Sequence, residues 1–380
     1  MQKICIIGDG LTGLTAAIIL NRENIKIDLY ANNINKYNSK KDDRATAVSE
    51  SNYQFIQKEL NLNNSNLFWP CKKINLFFED GKKIVNFLSF KEKNKNFMYI
   101  FQNKELKKKL IKIILKKRNI KLIKKRIKNV NHEEGSIYFD KKKITYDLII
   151  LCIGSRSKLY DKIEQGRSIE KNYKELSLTT IIKHNSRIKN ASQFFLKEGP
   201  LAILPFHKKM FSVVWTVSSF FFQQNNKDLK KILKNKIKVL LNNYSLKNMA
   251  TIKSFPIYLN LKTKYFKKNV LIFGDGLHAV HPMAGQGFNL VLRDIKKLNE
   301  SISKILKLGL LIRDSLLLKD FYYARKPENN ILGLVIDLTN FFFKDIKYFT
   351  SIRKVILKNI NNFGFIKKIS QSISDKGISV

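Results

Sequence analysis

The sequence predicts an α/β protein: a Rossmann-like nucleotide-binding domain with an inserted antiparallel-sheet domain and C-terminal helices. Three observations predict it. The chain opens with a short apolar run, a glycine turn and an apolar helical segment; its middle carries alternating apolar strands; and a second glycine-rich turn follows another apolar run late in the chain. At 380 residues the chain exceeds the size at which one hydrophobic core keeps growing, so two or three packed units are expected.

The opening stretch, KICIIGDGLTGLTAAIILNRENIKIDLYA, reads as strand, turn, helix, strand. Residues 4–7 are the strand and residues 14–20, from Leu14 onward, the helix. Gly8, Gly10 and Gly13 between them fit a dinucleotide turn, each for its own reason: Gly8 permits the sharp bend, Gly10 lets a pyrophosphate approach the backbone, and Gly13 lets helix and strand pack closely. Free N–H groups at the helix start then face phosphate. An acid normally ends the second strand and binds ribose, but Ala31 stands there. Strand alternation turns Asp28 to the opposite face, leaving Asn32, Asn33 or backbone for that task.

Further along, a helix is expected over residues 105–117, with strands near 121–130, 136–140 and 144–153. Residues 68–90 and 175–264 hold alternating strands such as LAILPF and FSVVWTV, suited to an antiparallel sheet. Leu201, Ile203 and Trp215 on these strands suit either an oily ligand or a core. No repeat or low-complexity linker interrupts the chain.

Between Lys268 and Lys296 the chain carries no lysine, although lysine is frequent elsewhere. This segment, GDGLHAVHPMAGQGFNLVLRD, follows the apolar run NVLIF. Asp275 lies at a strand end, where a carboxylate accepts hydrogen bonds from ligand hydroxyls. Gly285 and Gly287 open a helix expected over residues 289–298, whose positive end can meet an anionic atom. Two such helix starts can grip two ends of one long dinucleotide. A tightly packed core turn is the competing reading. His278, His281 and Asp275 have the residue types of a two-histidine, one-carboxylate iron site; that assignment would leave the first glycine motif unexplained, and no metal is expected.

The net charge of +42 is spread along the chain rather than clustered. It therefore reads as solvated lysine rather than a nucleic-acid footprint, with attraction to anionic membrane surfaces still open. Hydrophobic residues at 44% rule out general disorder. Cys5, Cys71 and Cys152 form no CxxC pair and read as core thiols of a reducing compartment. The start has no signal-peptide pattern and no apolar run reaches the ~18 residues that span a bilayer. The expectation is a cytoplasmic protein, with peripheral contact at the inner face of the cytoplasmic membrane kept open.

GDGLHAVHPMAGQGFNLVLRDIKKL resembles the second flavin-binding motif of the FAD-dependent aromatic hydroxylases, specifically the ubiquinone-biosynthesis hydroxylases related to para-hydroxybenzoate hydroxylase. DDRATAVSES, MYIFQNKELKKKL, EGPLAILPFHKKMFSVVWTV and SFPIYLNLKTKYFKKNVLIFGDG resemble other segments of that family, in its order, over nearly the whole chain. The resemblance implies an FAD-binding domain from residues 1–65, 97–174 and 265–310, a substrate domain from 66–96 and 175–264, and a C-terminal helical region at 311–380. It implies that Asp275 binds the ribityl chain, that Gly285 and Gly287 present N–H groups to the flavin, that Pro282 lines the flavin face, and that Arg44, Gln102 and Gly154 also contact FAD.

It further implies an NAD(P)H- and O2-dependent monooxygenase acting through a flavin C4a-hydroperoxide on a polyprenylated phenol, among other quinone-biosynthesis proteins and without nucleic acid. No catalytic acid or base is assigned. Ile153 stands where the family carries an aspartate, which with Ala31 leaves fewer polar anchors. A reductase of the same fold, or a catalytically weak scaffold of a quinone-synthesis complex, stays open. In the last region, ILGLVIDLTNFFFKDIKYF is expected to cover the FAD domain, with residues 341–343 set aside for a lipid surface.

Overall fold

A computed structural model describes residues 1–31, 44–62, 66–81, 83–91, 95–139, 142–164, 168–185, 188–242, 245–282, 285–343, 375 and 377. In chain order the elements are β1 (Gln2–Ile7), α1 (Leu11–Ile19), β2 (Ile25–Tyr30), β3 (Ala45–Ser49), α2 (Glu50–Leu60), β4 (Trp69–Cys71), β5 (Lys73–Asp80) and β6 (Lys83–Lys91). Then come β7 (Met98–Gln102), α3 (Asn103–Ile114), β8 (Ile120–Ile123), β9 (Val130–Asn131), β10 (Ser136–Phe139), β11 (Lys142–Thr145), β12 (Leu148–Leu151) and α4 (Asp161–Glu164). β13 (Ser168–His184), β14 (Ala191–Leu196), β15 (Gly199–His207), β16 (Met210–Ser218), α5 (Ser219–Asn225), α6 (Leu229–Leu240), β17 (Leu246–Met249) and β18 (Lys253–Lys262) build the middle. β19 (Phe266–Lys267), β20 (Val270–Ile272), β21 (His278–Ala279), α7 (Gln286–Lys307) and α8 (Ser315–Phe343) complete the described elements.

One sheet runs β19-β20-β12-β1-β2-β8 and is parallel except at the β19 edge. Its central strands are continuous apolar runs because both faces are covered, by α1 and α7 among others. A larger sheet runs β21-β18-β13-β16-β15-β14-β5-β6, with β17 beside β13. It is antiparallel apart from the β14–β5 pair. One of its faces packs on α6, whose Leu229, Leu233 and Ile237 meet Trp215 and its neighbours. A small sheet, β3-β7-β4, lies apart from both in pairing.

The elements depart from expectation in instructive places. The strand expected at 121–130 is broken into β8 and β9, across a segment, KKRIKN, in which four of the six side chains are cationic. That expected at 144–153 is also two strands: β11 pairs in a three-stranded sheet and β12 in the parallel one, with buried Tyr146 at the changeover donating to Asp28 at 2.8 Å. β13 is a single strand from Ser168, so it crosses the expected division at residue 174. α7 begins before residue 289 and continues well past 298.

The C-terminal helix α8 continues through Pro327. Its buried stripe, including Leu318, Phe321, Leu332 and Ile336, recurs at three- and four-residue steps, as a helix facing a core requires. At Gly333 an added Cβ would lie 2.7 Å from Leu261, so the helix crosses β18 as closely as its backbone permits. Phe343 stacks on Phe195 of β14 with centroids 3.5 Å apart, so of residues 341–343 only Phe341 and Phe342 remain outward. The rest of that region, and Asn32 and Asn33, lie outside the described residues.

Candidate active site

Each glycine of the first turn has a distinct geometric role. Gly8 has φ +126°, and an added Cβ would sit 2.1 Å from the carbonyl oxygen of Cys152, the residue after β12. At Gly13 it would sit 2.0 Å from the Gly8 carbonyl oxygen. These two glycines, with fully buried Leu14, make the close packing of β1, α1 and β12. Gly10, the N-cap of α1, has nothing within 4 Å of the added-Cβ position and offers no side-chain cap, so the helix start is open.

That opening leads into a cavity of about 950 Å³. Gly10, Leu11 and Thr12 line one end; Arg44, Thr46 and Ala47 of the β3 region, and Lys104 and Lys107 of α3, line it alongside. Gly154, Asp275, Pro282, Gly285 and Gly287 also line it, joining the two halves of the sequence motif set in one hollow. The turns touch directly: an added Cβ on Gly274, at φ +68°, would lie 2.6 Å from the Thr12 methyl. Gly287 again has open space beside it.

Of the other expected residues, Gly8, Gly13 and Leu14 lie behind the lining, and Gln102 ends β7 as the N-cap of α3 without lining the cavity; its neighbour Asn103 does. The Arg44 guanidinium lies over the Phe255 ring at 5.1 Å. The Asp28 carboxylate turns into the Tyr146–Tyr30 hydroxyl pair and does not line the cavity, in keeping with strand alternation. Ala31 is buried and spends its N–H on Ile123.

For Leu201, Ile203 and Trp215 the core alternative holds. All are fully buried among the α6-facing side chains, so they are core and not cavity wall. The cavity takes the alternate positions instead. Thr179, Val214, Ala202 and Gln193 follow one another across β13, β16, β15 and β14 in direct register, and all four line it. Leu204 and Ile74 add apolar surface next to this row. The floor is thus a band of small and apolar side chains flanked by a hydroxyl and an amide.

The wall around the second turn is held from behind. His278 Nε2 meets Asp294 Oδ2 at 2.5 Å, and Arg325 Nε donates to Asp294 Oδ1 at 2.6 Å, all three buried. Burial raises the Asp294 pKa, but Arg325 and His278 outweigh it and hold the carboxyl below its ordinary value. Arg325 also donates to Asn329 at 2.9 Å and pairs with Glu328. His281 instead meets Glu175 at 3.2 Å. The two histidines therefore have different carboxylate partners, and among the described residues no group of three ligand-type side chains could hold a metal. Cys152 lines the cavity, yet burial, helped by Asp275, drives its thiol far above the ordinary value, so it stays protonated and inert. Burial pushes Cys71 up to about 12.

The signature of the FAD binding domain matches residues 126–309, and that of pyridine nucleotide-disulphide oxidoreductase matches residues 2–210, more than half of the chain. The mitochondrial ubiquinone biosynthesis monooxygenase COQ6 of Dictyostelium discoideum is 30% identical over 221 residues, which cover 50% of this chain and 44% of that protein. Ubiquinone-biosynthesis hydroxylases are thus among the homologues of this chain. With the pyridine nucleotide-disulphide oxidoreductases it shares their wider family through the stretch that carries the first glycine turn.

The chain spans about half the length of the curated relatives it matches. Among solved structures, p-nitrophenol 4-monooxygenase PnpA from Pseudomonas putida superposes with a TM-score of 0.79 at 13% identity, covering 100% of both chains. HpxO of Klebsiella pneumoniae, complexed with FAD and uric acid, gives 0.76 at 14%, covering 99% of this chain and 97% of that one. These likenesses show the fold.

FAD is the family's cofactor. The residues present fit it: Gly10 and Gly287 leave space that any side chain would fill, an uncapped helix start faces the hollow, and Asp275 presents an exposed carboxylate at the same cavity. Thr12, Asn103 and the α3 lysines lay outside the sequence reading. Their signal was a lysine-rich helix immediately after the β7 strand, indistinguishable in this chain from ordinary solvated lysine.

Proposed function

We propose that this protein is an NAD(P)H- and O2-dependent FAD monooxygenase that hydroxylates the aromatic ring of a polyprenylated phenol in ubiquinone biosynthesis. The observation that carries the reading is the single hollow lined together by the open α1 start, by Asp275 and Pro282, and by the mixed floor of the large sheet. When bound, FAD supplies the oxygen activation, with electrons taken from NAD(P)H.

In this reading the α1 N–H groups and Gly10 receive the diphosphate, Asp275 accepts the ribityl hydroxyls, and the α7 start with Gly285 and Gly287 meets the pyrimidine edge of the flavin ring. Arg44, Gly154 and Pro282 border the ring and its chain, with Gly8, Gly13 and Leu14 acting through the backbone they pack and Gln102 through the start of α3. The expected FAD segments and substrate segments are kept, with the division moved from 174 to the start of β13. The sheet floor orients the phenol: Thr179 and Gln193 hold its polar substituents, while Ala202, Val214 and Leu204 exclude water. The Tyr258 hydroxyl, raised above its ordinary pKa by burial against the opposing effect of Arg156, remains a hydrogen-bond donor beside the cavity.

The described helices include none long and apolar enough to cross a membrane. Exposed Ile331, Leu334, Leu338 and Phe341 form one stripe on α8, and the chain is strongly basic. Both favour a peripheral position on the inner face of the cytoplasmic membrane, where a prenylated substrate resides and other quinone-biosynthesis proteins are within reach.

The test is reduction of the purified flavoprotein by NAD(P)H with a prenylphenol, without oxygen, followed by isotopically labelled O2. Label in a ring hydroxyl is the expected result. Consumption of NAD(P)H with a reduced, unlabelled product would make it a reductase, and no flavin chemistry at all a scaffold.

A further inference from the structure

A carboxylate sits where a diphosphate is to be received. Asp9 lies between Gly8 and Gly10, in the very turn that opens α1, and its side chain is 15% exposed. Beside two phosphate charges it would repel the ligand that the turn otherwise attracts. Its carboxylate is, however, met by Lys107 of α3: the ammonium donates to Asp9 Oδ2 at 3.0 Å. Lys104, Lys107 and Lys108 stand at i, i+3 and i+4, hence on one helix face, and all three line the cavity. Lys108 is itself held by Glu105 at 3.1 Å. Lys107 is thus bonded to the glycine turn itself.

Resting on the FAD reading above, we propose that Lys107 is a positioning residue that neutralises Asp9 and so admits the cofactor's diphosphate to the α1 start, sharing its ammonium between carboxylate and phosphate. The first turn of α1 carries no acidic side chain, so Asp9 is the one carboxylate adjoining its N-terminus in sequence. Pairing it restores the positive end that a bare helix would present. The arrangement differs from a simple tether of α3 to the turn in one respect: removing the cation harms binding, whereas removing the anion does not.

FAD dissociation constants, measured by quenching of flavin fluorescence, separate these cases. Lys107→Met should weaken FAD on the order of tenfold or more, Asp9→Asn should leave it unchanged or tighter, and the double variant should return to within about threefold of the unaltered protein. Lys107→Arg should retain binding, and high salt should shrink the Lys107→Met defect. Melting of each protein without FAD shows whether any variant has lost its fold; the comparison of Asp9→Asn with Lys107→Arg stands even if Lys107→Met does not fold. Equal weakening by Asp9→Asn and Lys107→Met would overturn the proposal in favour of a tether. A double variant as weak as Lys107→Met would show that Lys107 serves the phosphate without regard to Asp9, and would overturn it too. An unaltered chain that takes no FAD would overturn the flavin reading itself, and this inference with it.

Discussion

The two glycine turns border one cavity with different support. The first is embedded in an apolar core: β1, β12 and Leu14 are buried, and Gly8 and Gly13 let backbone touch backbone. The second leans on charge: His278 and Arg325 converge on Asp294, tying the turn to α7 and α8. Within each turn, moreover, glycine has two uses. Some positions have no room for a Cβ because protein fills it; others, Gly10 and Gly287, have open space beside them on the cavity. Motif spacing alone merges these uses, and added-Cβ geometry separates them.

Breaking the packed glycines should cost most. Gly8→Ala combines a 2.1 Å clash on Cys152 backbone with a φ that alanine resists, so a stability loss above about 4 kcal/mol is expected in denaturant titration, or no soluble protein. The ionic support of the second turn should show next. Arg325→Met leaves buried Asp294 with His278 and Asn329 but without its guanidinium partner, for a loss of about 3 kcal/mol in the same titration. Because the folded Asp294 pKa is depressed, its contribution is present above the unfolded carboxyl pKa and disappears as pH falls through the lower folded value. Stability measured against pH should therefore drop below about pH 4, and less steeply in Asp294→Asn; an unchanged slope would deny the cluster its role.

Gly274→Ala sharpens the claim that the turns meet, since its Cβ would press on the flexible Thr12 side chain rather than on backbone. A loss of about 2 kcal/mol, partly recovered in a double variant with Thr12→Ser, is the expected pattern in thermal melts. Gly10→Ala should disturb the fold least, within about 0.5 kcal/mol, yet weaken FAD roughly tenfold, because the space it fills is the ligand's. An equal effect on stability from Gly8→Ala and Gly10→Ala would erase the distinction between packed and open glycines.

Much of this was legible in the chain. The strand–turn–helix at the start needed only its apolar run and the three glycine positions, and the lysine gap from 268 to 296 coincides with a stretch most of whose described residues are buried. The facing of the large sheet was not legible. Trp215 and Val214 are adjacent, both apolar, and both suited to a strand; which one meets the cavity depends on where α6 docks, a tertiary fact. The break at Tyr146 was hidden for a related reason, since β11 and β12 read as one β run until their sheets are known. Lys107 was hidden by abundance: one functional lysine among many solvated ones has no local signature, and its pairing with Asp9 spans 98 positions of chain.

The most direct test of two turns closing on one flavin is titration of the flavin-free protein with FAD, in parallel with Asp275→Ala. The unaltered protein should bind FAD stoichiometrically and quench its fluorescence, and the variant should release it at ordinary dilution while keeping its melting temperature without flavin. Failure of the folded, unaltered protein to bind FAD, or equal retention by Asp275→Ala, would contradict the account.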